Sequence, residues 1–511
     1  MVHMSNHLLN DLINFGAKLE RKRKIAKIES DSYLFALSNK ATASPIETPG
    51  LTTPLWAYQT AAVEYAARTR FCIIADQMRL GKTPSAIATL LHIASRRALV
   101  ICPPHLKLNW LAEYGVFAKG KTVHVINGVK PYELPFADVY IIGDAQVAKW
   151  AAYLTTFGLD AVVADEAHRF KSQTAARSKA VVAIADTIPA HGAILLLTGT
   201  PVVNRPNELV NLLRIIRRIE EVFGGARGFL QKFCVPEEIY VRHLGRTIVK
   251  YDKADPRTIG ELNTLLRGTC MIRRTRDQVW ANNPGKVRTN VFLTLNGALK
   301  EYDAAARNFI AYVRATKGAK AASIAERAEI IAQMTTLRNL VGKAKIKAAI
   351  EYVQDILDQD EQVVVFGWHR EVLEAIAAHF NAPMVLGGVS AEKKDAAVRA
   401  FQSGAARVIV GNISSMGTGL TLAASCNLVM VEQAWTPGDR DQAEDRIVHA
   451  AQSRTAIVHT LLAAGTFDEH LAKILAGKTS VTTAVIDGGV FKPSAIDETS
   501  IMLELADRMA S

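Results

Sequence analysis

Phe71-Cys72-Ile73-Ile74-Ala75-Asp76-Gln77-Met78-Arg79-Leu80-Gly81-Lys82-Thr83-Pro84 is the stretch that decides the fold. It opens on an unbroken apolar run, Phe71–Ala75, and gives way to an amphipathic one, Ser85–Ala94. A continuous rather than alternating run is what a strand buried on both faces requires. Between the two lies Gly81-Lys82-Thr83. At such a turn backbone N–H groups and the dipole of the following helix cradle phosphates. Lys82 is placed to reach β- and γ-phosphates, and the Thr83 hydroxyl to ligate Mg²⁺. Pro84 falls in the first helical turn, where its missing N–H costs nothing. A bare Gly-Lys-Thr is a weak signal, and its strand–turn–helix setting is what gives it weight.

Outward from this turn the same rhythm repeats. Apolar runs at Ala98–Cys102, Val139–Ile142, Ala161–Ala164 and Ala193–Leu197 alternate with helical stretches, which predicts a parallel sheet covered by helices on both faces. Residues 221–345 break the rhythm with charged helical runs such as Leu299–Thr316 and Ala321–Val341, read as helical insertions and a brace. The rhythm returns at Val363–Phe366, Met384–Leu386, Val408–Val410, Leu428–Val431 and Ile457–Leu462, a second parallel sheet. The expected organisation is a basic arm and linker over 1–50, a first lobe over 51–220, the brace, a second lobe over 346–476 and a tail over 477–511 with one short amphipathic helix. The fold class is α/β with two parallel-sheet lobes.

Composition sets the partners. Of the 511 residues 49% are hydrophobic and 22% charged, ordinary values for a chain that buries a core, and the formal net charge of +12 favours a polyanion. On charge alone a basic surface without a nucleic-acid partner is equally compatible. The five cysteines show no C-x-x-C spacing, which argues against a zinc knuckle or a dithiol motif and fits a reducing compartment. No leader pattern is seen at the start, where Asp11, Lys18, Glu20 and the run Arg21–Lys24 interrupt it, and no stretch has the apolar length to cross a bilayer. A soluble protein with no membrane partner is expected.

Three further segments carry chemistry. Ala161–Ala164 ends in Asp165-Glu166-Ala167-His168. Asp165, at a strand's carboxyl end, is placed to hold the Mg²⁺ shell, and Glu166 to orient and deprotonate an attacking water. The pair alone would serve equally as helix-capping acids. Leu197-Thr198-Gly199-Thr200-Pro201 also follows a strand, so Thr198 and Thr200 are candidate sensors of the γ-phosphate, or simply a turn. In the second half, Gly417-Thr418-Gly419 follows the strand at Val408, and Gln442-Ala443-Glu444-Asp445-Arg446 begins a helix. Arg446 is the candidate arginine that stabilises transition-state charge from the other lobe; in isolation it reads as a surface salt-bridge partner.

Taken in order, these segments resemble the superfamily 2 helicases, and among them the Swi/Snf-like ATPases. Tyr58-Gln59 is similar to the family's adenine-contact motif, Asp76–Thr83 to its D-E-M-G-L-G-K-T, and Cys102–Glu113 to its C-P-x-x-L-x-x-x-W-x-x-E. Asp165–His168 matches the D-E-A-H box. Leu197–Asn204 is similar to L-T-G-T-P-x-x-N, Arg273-Arg274-Thr275 with Gly285-Lys286 to R-R-T-K and P-x-K, and Gln442–Gln452 to Q-A-E-D-R-x-H-R-x-G-Q. The match runs from about 51 to 475 and looks most like the annealing-helicase branch and its short phage or bacterial members.

The resemblance implies two RecA-like lobes that bind ATP and Mg²⁺ between them and step along double-stranded or branched DNA by gripping phosphates. It implies ATP binding by Gln59, Gly81, Lys82, Thr83, Gly417 and Gly419, catalysis by Lys82, Asp165, Glu166 and Arg446, and coupling through Thr198, Thr200 and Gln442. Gln59, Lys82 and Asp165 are expected on one wall of the cleft, with Gly417, Gly419 and Arg446 on the other. It implies a cytoplasmic protein of a bacterium or an infected cell, or a nuclear one in a eukaryote. Three readings stay open beside it: a degenerate motor that binds DNA or a partner without turnover, an RNA helicase, and the motor subunit of a restriction or phage-defence complex whose nuclease is another chain. The first rests on departures from the pattern: Arg79 stands where the family has glycine, His449 where it has arginine, and Ala451 where it has glycine. An arginine at 79 is expected to forbid some backbone conformations open to glycine.

Overall fold

Every apolar run singled out above forms a strand. In this computed structural model residues 29–199, 206–241, 246–280, 285–295, 297–315, 324–413, 422–448, 454–478 and 498–510 are described. The first sheet contains β1 (Phe71–Ile74), β2 (Ala98–Cys102), β3 (Val123–Val125), β4 (Val139–Gly143), β5 (Ala161–Asp165), β6 (Ala193–Leu197) and β9 (Met271–Ile272). Their order is β3-β4-β2-β5-β6-β1-β9, and all neighbours run parallel. The second sheet contains β10 (Lys286–Leu293), β11 (Val363–Gly367), β12 (Met384–Val385), β13 (Val408–Asn412), β14 (Asn427–Met430) and β15 (Ala456–Ala463), in the order β10-β15-β14-β11-β13-β12 and again parallel.

Parallel neighbours need a crossover, and the helices that supply it cover both faces. Ile73, Leu99, Val162 and Ile194 belong to one buried cluster of the first lobe, while Cys72, Val100, Val163 and Leu195 belong to another, so alternate residues of each strand feed opposite layers. The second sheet repeats this, with Val364 and Ile409 in one layer and Val363, Val365 and Val410 in the other. Each such side chain taken from water is worth about 1.5–3 kcal/mol, which explains why β1, β2, β5, β6, β11 and β13 contain no polar residue until their carboxyl ends.

The segment 221–345 is more than helical insertions. It forms an antiparallel hairpin from β7 (Cys234–Val241) and β8 (Arg246–Ala254), and it gives one edge strand to each sheet: β9 pairs with β1, and β10 with β15. The helices expected at Leu299–Thr316 and Ala321–Val341 are present as Lys300–Ala315 and Ile324–Leu357. The stretch taken for a tail carries the helix Glu498–Ala510, whose Ile501, Met502, Leu505 and Ala506 are buried with Phe309, Val313, Phe467 and Leu471. That helix is an integral part of the helical layer beside the second sheet.

Candidate nucleotide-binding cleft

The carboxyl ends of β1 and β5 open onto a cavity of about 200 Å³ lined by Met78, Arg79, Gly81, Lys82, Thr83, Trp110, Asp165 and Glu166 of the first lobe, and by Asp445 and Arg446 of the second. The turn after β1 is shaped by backbone sterics. Gly81 caps the helix Lys82–His92 at φ 70°, and a Cβ there would lie 2.1 Å from the Gln59 side-chain nitrogen, so any larger residue is strained and must displace that amide. Arg79 also takes a left-handed backbone, with φ 72°. The left-handed conformation is thus not among those that an arginine at 79 forbids.

Beneath the turn, the Asp76 carboxylate is fully buried and held by Arg274, whose backbone N–H and Nε each donate at 2.9 Å and whose guanidinium also reaches the Tyr58 carbonyl. Arg273 donates to the carbonyls of Ala75 at 2.7 Å and Gly199 at 2.9 Å. The Arg-Arg-Thr segment thus bolts the base of the phosphate loop to the strands beside it.

Lys82 donates to the Asp76 carbonyl at 2.9 Å. Burial lowers its pKa, opposed by the charges of Glu166, Asp76 and Asp165. Trp110 donates its indole N–H to one Asp165 oxygen at 2.9 Å, and the Glu166 backbone N–H meets the other at 2.9 Å. Burial, reinforced by the Glu166 charge, raises Asp165 to about 6. Burial pushes Glu166 the same way, but the neighbouring His168 imidazole and the charges of Lys82 and Arg446 outweigh it, so Glu166 lies below its ordinary value. The two neighbouring acids are split, and Glu166 is the one held ionised, as a base must be.

His168 Nδ1 lies 3.3 Å from the Glu166 carboxylate and 3.4 Å from the buried Thr198 hydroxyl, which joins the D-E-A-H box to the turn after β6. Gln59 is buried against the loop; its carbonyl oxygen accepts from the Trp56 backbone N–H at 2.9 Å, and its amide points to the Leu80 carbonyl at 3.5 Å. It packs behind the loop and is not among the residues lining the cavity. Gln442 sits on the helix Pro437–Glu444, half-buried, also off the cavity wall. Arg446 is on the wall opposite Lys82 and Asp165, nearly fully buried, and burial lowers it to about 10, so it stays charged at neutral pH. Thr200, Gly417, Gly419, His449 and Ala451 lie outside the described residues.

Sequence reasoning missed the anchoring of this second wall. Asp445 bonds Arg276 at 3.0 Å and Lys286 at 3.2 Å, and Glu444 bonds Lys286 at 2.7 Å and Arg288 at 2.8 Å. Trp110 belongs to a motif, and nothing local in sequence marks its partner at 165. The donor set fits a nucleotide with its metal. Lys82 and Arg446 are cations on facing walls, and Thr83 and Asp165 offer the hard oxygens Mg²⁺ takes.

Two parallel-sheet lobes with a phosphate loop on one and an inward-facing arginine on the other define a RecA-like, two-lobed core. The SNF2-related domain matches residues 17–345, and the helicase conserved C-terminal domain matches residues 344–451. The chain belongs to the SNF2-related family. It is 29% identical over 468 residues to the DNA annealing helicase and endonuclease ZRANB3 of Mus musculus, covering 88% of this chain and 42% of that protein. It is 27% identical over 445 residues to the SWI/SNF-related matrix-associated actin-dependent regulator of chromatin subfamily A-like protein 1 of Xenopus tropicalis, covering 84% and 44%. The chain thus spans less than half the length of these relatives. The Sulfolobus solfataricus SWI2/SNF2 ATPase core in complex with dsDNA aligns with a TM-score of 0.42 at 23% identity, covering 88% of this chain and 96% of that one. Among the described residues no helix is long and apolar enough to cross a membrane.

Proposed function

We propose that this chain is a DNA-stimulated ATPase that uses Mg²⁺ and translocates on double-stranded or branched DNA, remodelling or reannealing it. One observation carries the reading: Lys82, Thr83, Asp165 and Glu166 from one lobe and Arg446 from the other line a single cavity. Such an arrangement is completed by lobe closure, which links hydrolysis to relative lobe movement. Lys82 neutralises the terminal phosphates, and Thr83 and Asp165 hold the metal. A bound Mg²⁺ supplies Lewis-acid charge stabilisation at the phosphates. Glu166, ionised, accepts the proton of the attacking water. Arg446 places a fixed charge where negative charge grows in the transition state. Thr198, through His168, is positioned to pass the state of that site to the neighbouring turn, and Gln442, on the helix leading to Arg446, is assigned to the same coupling.

The duplex-DNA part of the reading is supported by the net charge of +12 and by the relatives, which include a DNA annealing helicase. Of the departures behind the degenerate-motor alternative, Arg79 takes the left-handed backbone open to glycine, while His449 and Ala451 lie outside the described residues. The discriminating experiment measures ATP hydrolysis by the purified chain alone and with single-stranded DNA, duplex DNA, forked DNA and RNA. Stimulation by duplex or forked DNA, weakening steeply as salt rises, is the expected result. Equal rates under all conditions would remove the proposal, and stimulation by RNA alone would replace it with an RNA helicase.

A further inference from the structure

Arg79 sits in the left-handed region that most side chains avoid, with φ 72°. Its side chain accounts for what an arginine does there. Nε donates to the backbone carbonyl of Asp445, on the opposite lobe, at 3.1 Å. That carbonyl belongs to the peptide joining Asp445 to Arg446, so the loop that cradles phosphates grips the peptide carrying the inward-facing arginine. The same peptide is fixed from its other side, where the Arg446 backbone N–H donates to the Ala443 carbonyl at 3.1 Å. The Asp445 carboxylate meanwhile holds Arg276, which follows β9 of the first sheet, and Lys286 of β10 in the second. Both partners of the Arg79 contact are protein groups, so the contact needs no phosphate.

We propose that Arg79 is a positioning residue that latches the second lobe onto the phosphate loop through Asp445 and so presents Arg446 ahead of nucleotide binding. This rests on the proposed nucleotide site and assigns it a device that a glycine at this position lacks. The two guanidinium groups share one cavity, and burial together with the Arg446 charge brings Arg79 down to about 9, which leaves it charged at neutral pH. Polyphosphate entering between them relieves like-charge repulsion, so nucleotide binding and the latch act in the same direction.

The test uses the full chain, with dyes on cysteines introduced by Lys130→Cys in the first lobe and Ser403→Cys in the second. Both positions are exposed, and all five native cysteines are buried. Energy transfer between the dyes without nucleotide, kcat with saturating duplex DNA, and the Kd of a fluorescent ATP analogue are compared for the parent, Arg79→Gly and Arg79→Lys. Glycine keeps the left-handed backbone, so Arg79→Gly removes the contact without straining the loop. It is expected to lower transfer efficiency and cut kcat about tenfold, with Kd within about threefold of the parent. Arg79→Lys, a shorter donor, is expected to restore part of both. Unchanged transfer in Arg79→Gly overturns the latch whether or not the parent hydrolyses ATP. Weakened ATP affinity with unchanged kcat and transfer also overturns it, because Arg79 is then a phosphate ligand. Loss of transfer in a chain that never hydrolyses ATP upholds the latch and removes only the proposed activity.

Discussion

The indole N–H of Trp110 and the carboxylate of Asp165 are joined at 2.9 Å across the floor of the cleft. Trp110 reaches it from the helix Lys107–Phe117 and Asp165 from the end of β5, so the tryptophan fixes the orientation of a candidate metal ligand it is remote from in sequence.

This relationship sets a pH dependence. Asp165 titrates at about 6, raised first by burial and then by the Glu166 charge. Below that value it is neutral and cannot hold Mg²⁺, so the Mg²⁺ concentration giving half-maximal ATPase is expected to rise as pH falls through 6. Removing the Trp110 donor, which favours the charged form, is expected to move this midpoint to higher pH in Trp110→Phe. A pH series of Mg²⁺ titrations checks both, and an unmoved midpoint in the variant would contradict the assignment. For stability the sign is opposite. The folded chain holds this proton more tightly than the unfolded one, so the Asp165 contribution weakens as pH rises from the unfolded value toward 6.

Lys82 and Glu166 are expected to be indispensable to turnover. Lys82→Ala removes a phosphate cation and is expected to cut kcat about 10²- to 10³-fold, and Glu166→Gln removes the base, for about 10²- to 10⁴-fold. Steady-state phosphate release on duplex DNA reads both. A near-parental rate in either variant rejects its assigned role.

Arg446→Ala separates binding from chemistry. The guanidinium acts on charge that develops during transfer, so turnover is expected to fall about a thousandfold or more. Affinity for ATP, set largely by the phosphate loop, is expected to change little. Parallel measurement of kcat and ATP-analogue Kd checks this; a loss confined to Kd would make Arg446 a binding residue only.

Lys345 is expected to be a stability residue. Its ammonium is fully buried and donates to Asp468 at 2.6 Å, to the Leu461 carbonyl at 3.1 Å and to the Val431 carbonyl. Lys345→Ala strands the Asp468 charge and is expected to cost about 3–5 kcal/mol, read from the denaturant midpoint. Replacing both Lys345 and Asp468 with apolar residues is expected to cost less, because no lone charge is left buried.

The sequence made legible whatever is written locally. The loop Asp76–Thr83 and the pair Asp165-Glu166 announce themselves by a buried strand ending in polar residues, and β1, β2, β4, β5 and β6 by their unbroken apolar runs. β9 was not legible because it contains two residues, and β10 because it is an exposed edge strand whose polar positions, Arg288, Thr289 and Asn290, break any apolar run. The left-handed backbone at Arg79 was unreadable because residue type argues against it, and its side-chain partner, the Asp445 carbonyl, lies far along the chain. Trp110, Arg276 and Lys286 act through residues far along the chain, and such pairings are a product of the fold.

Among the described strands the chain passes from the first sheet to the second once, between Ile272 at the end of β9 and Lys286 at the start of β10. Along that crossing, Arg273 and Arg274 are fastened to the root of the phosphate loop, Arg276 to Asp445, and Lys286 to Glu444 and Asp445. The described part of the passage between lobes is therefore wired like a bell crank, pinned at one arm beneath the phosphate loop and at the other beside Arg446. The same short run of chain therefore touches both the root of the phosphate loop and the peptide that carries Arg446, so a change at either end of the crossing meets the cleft.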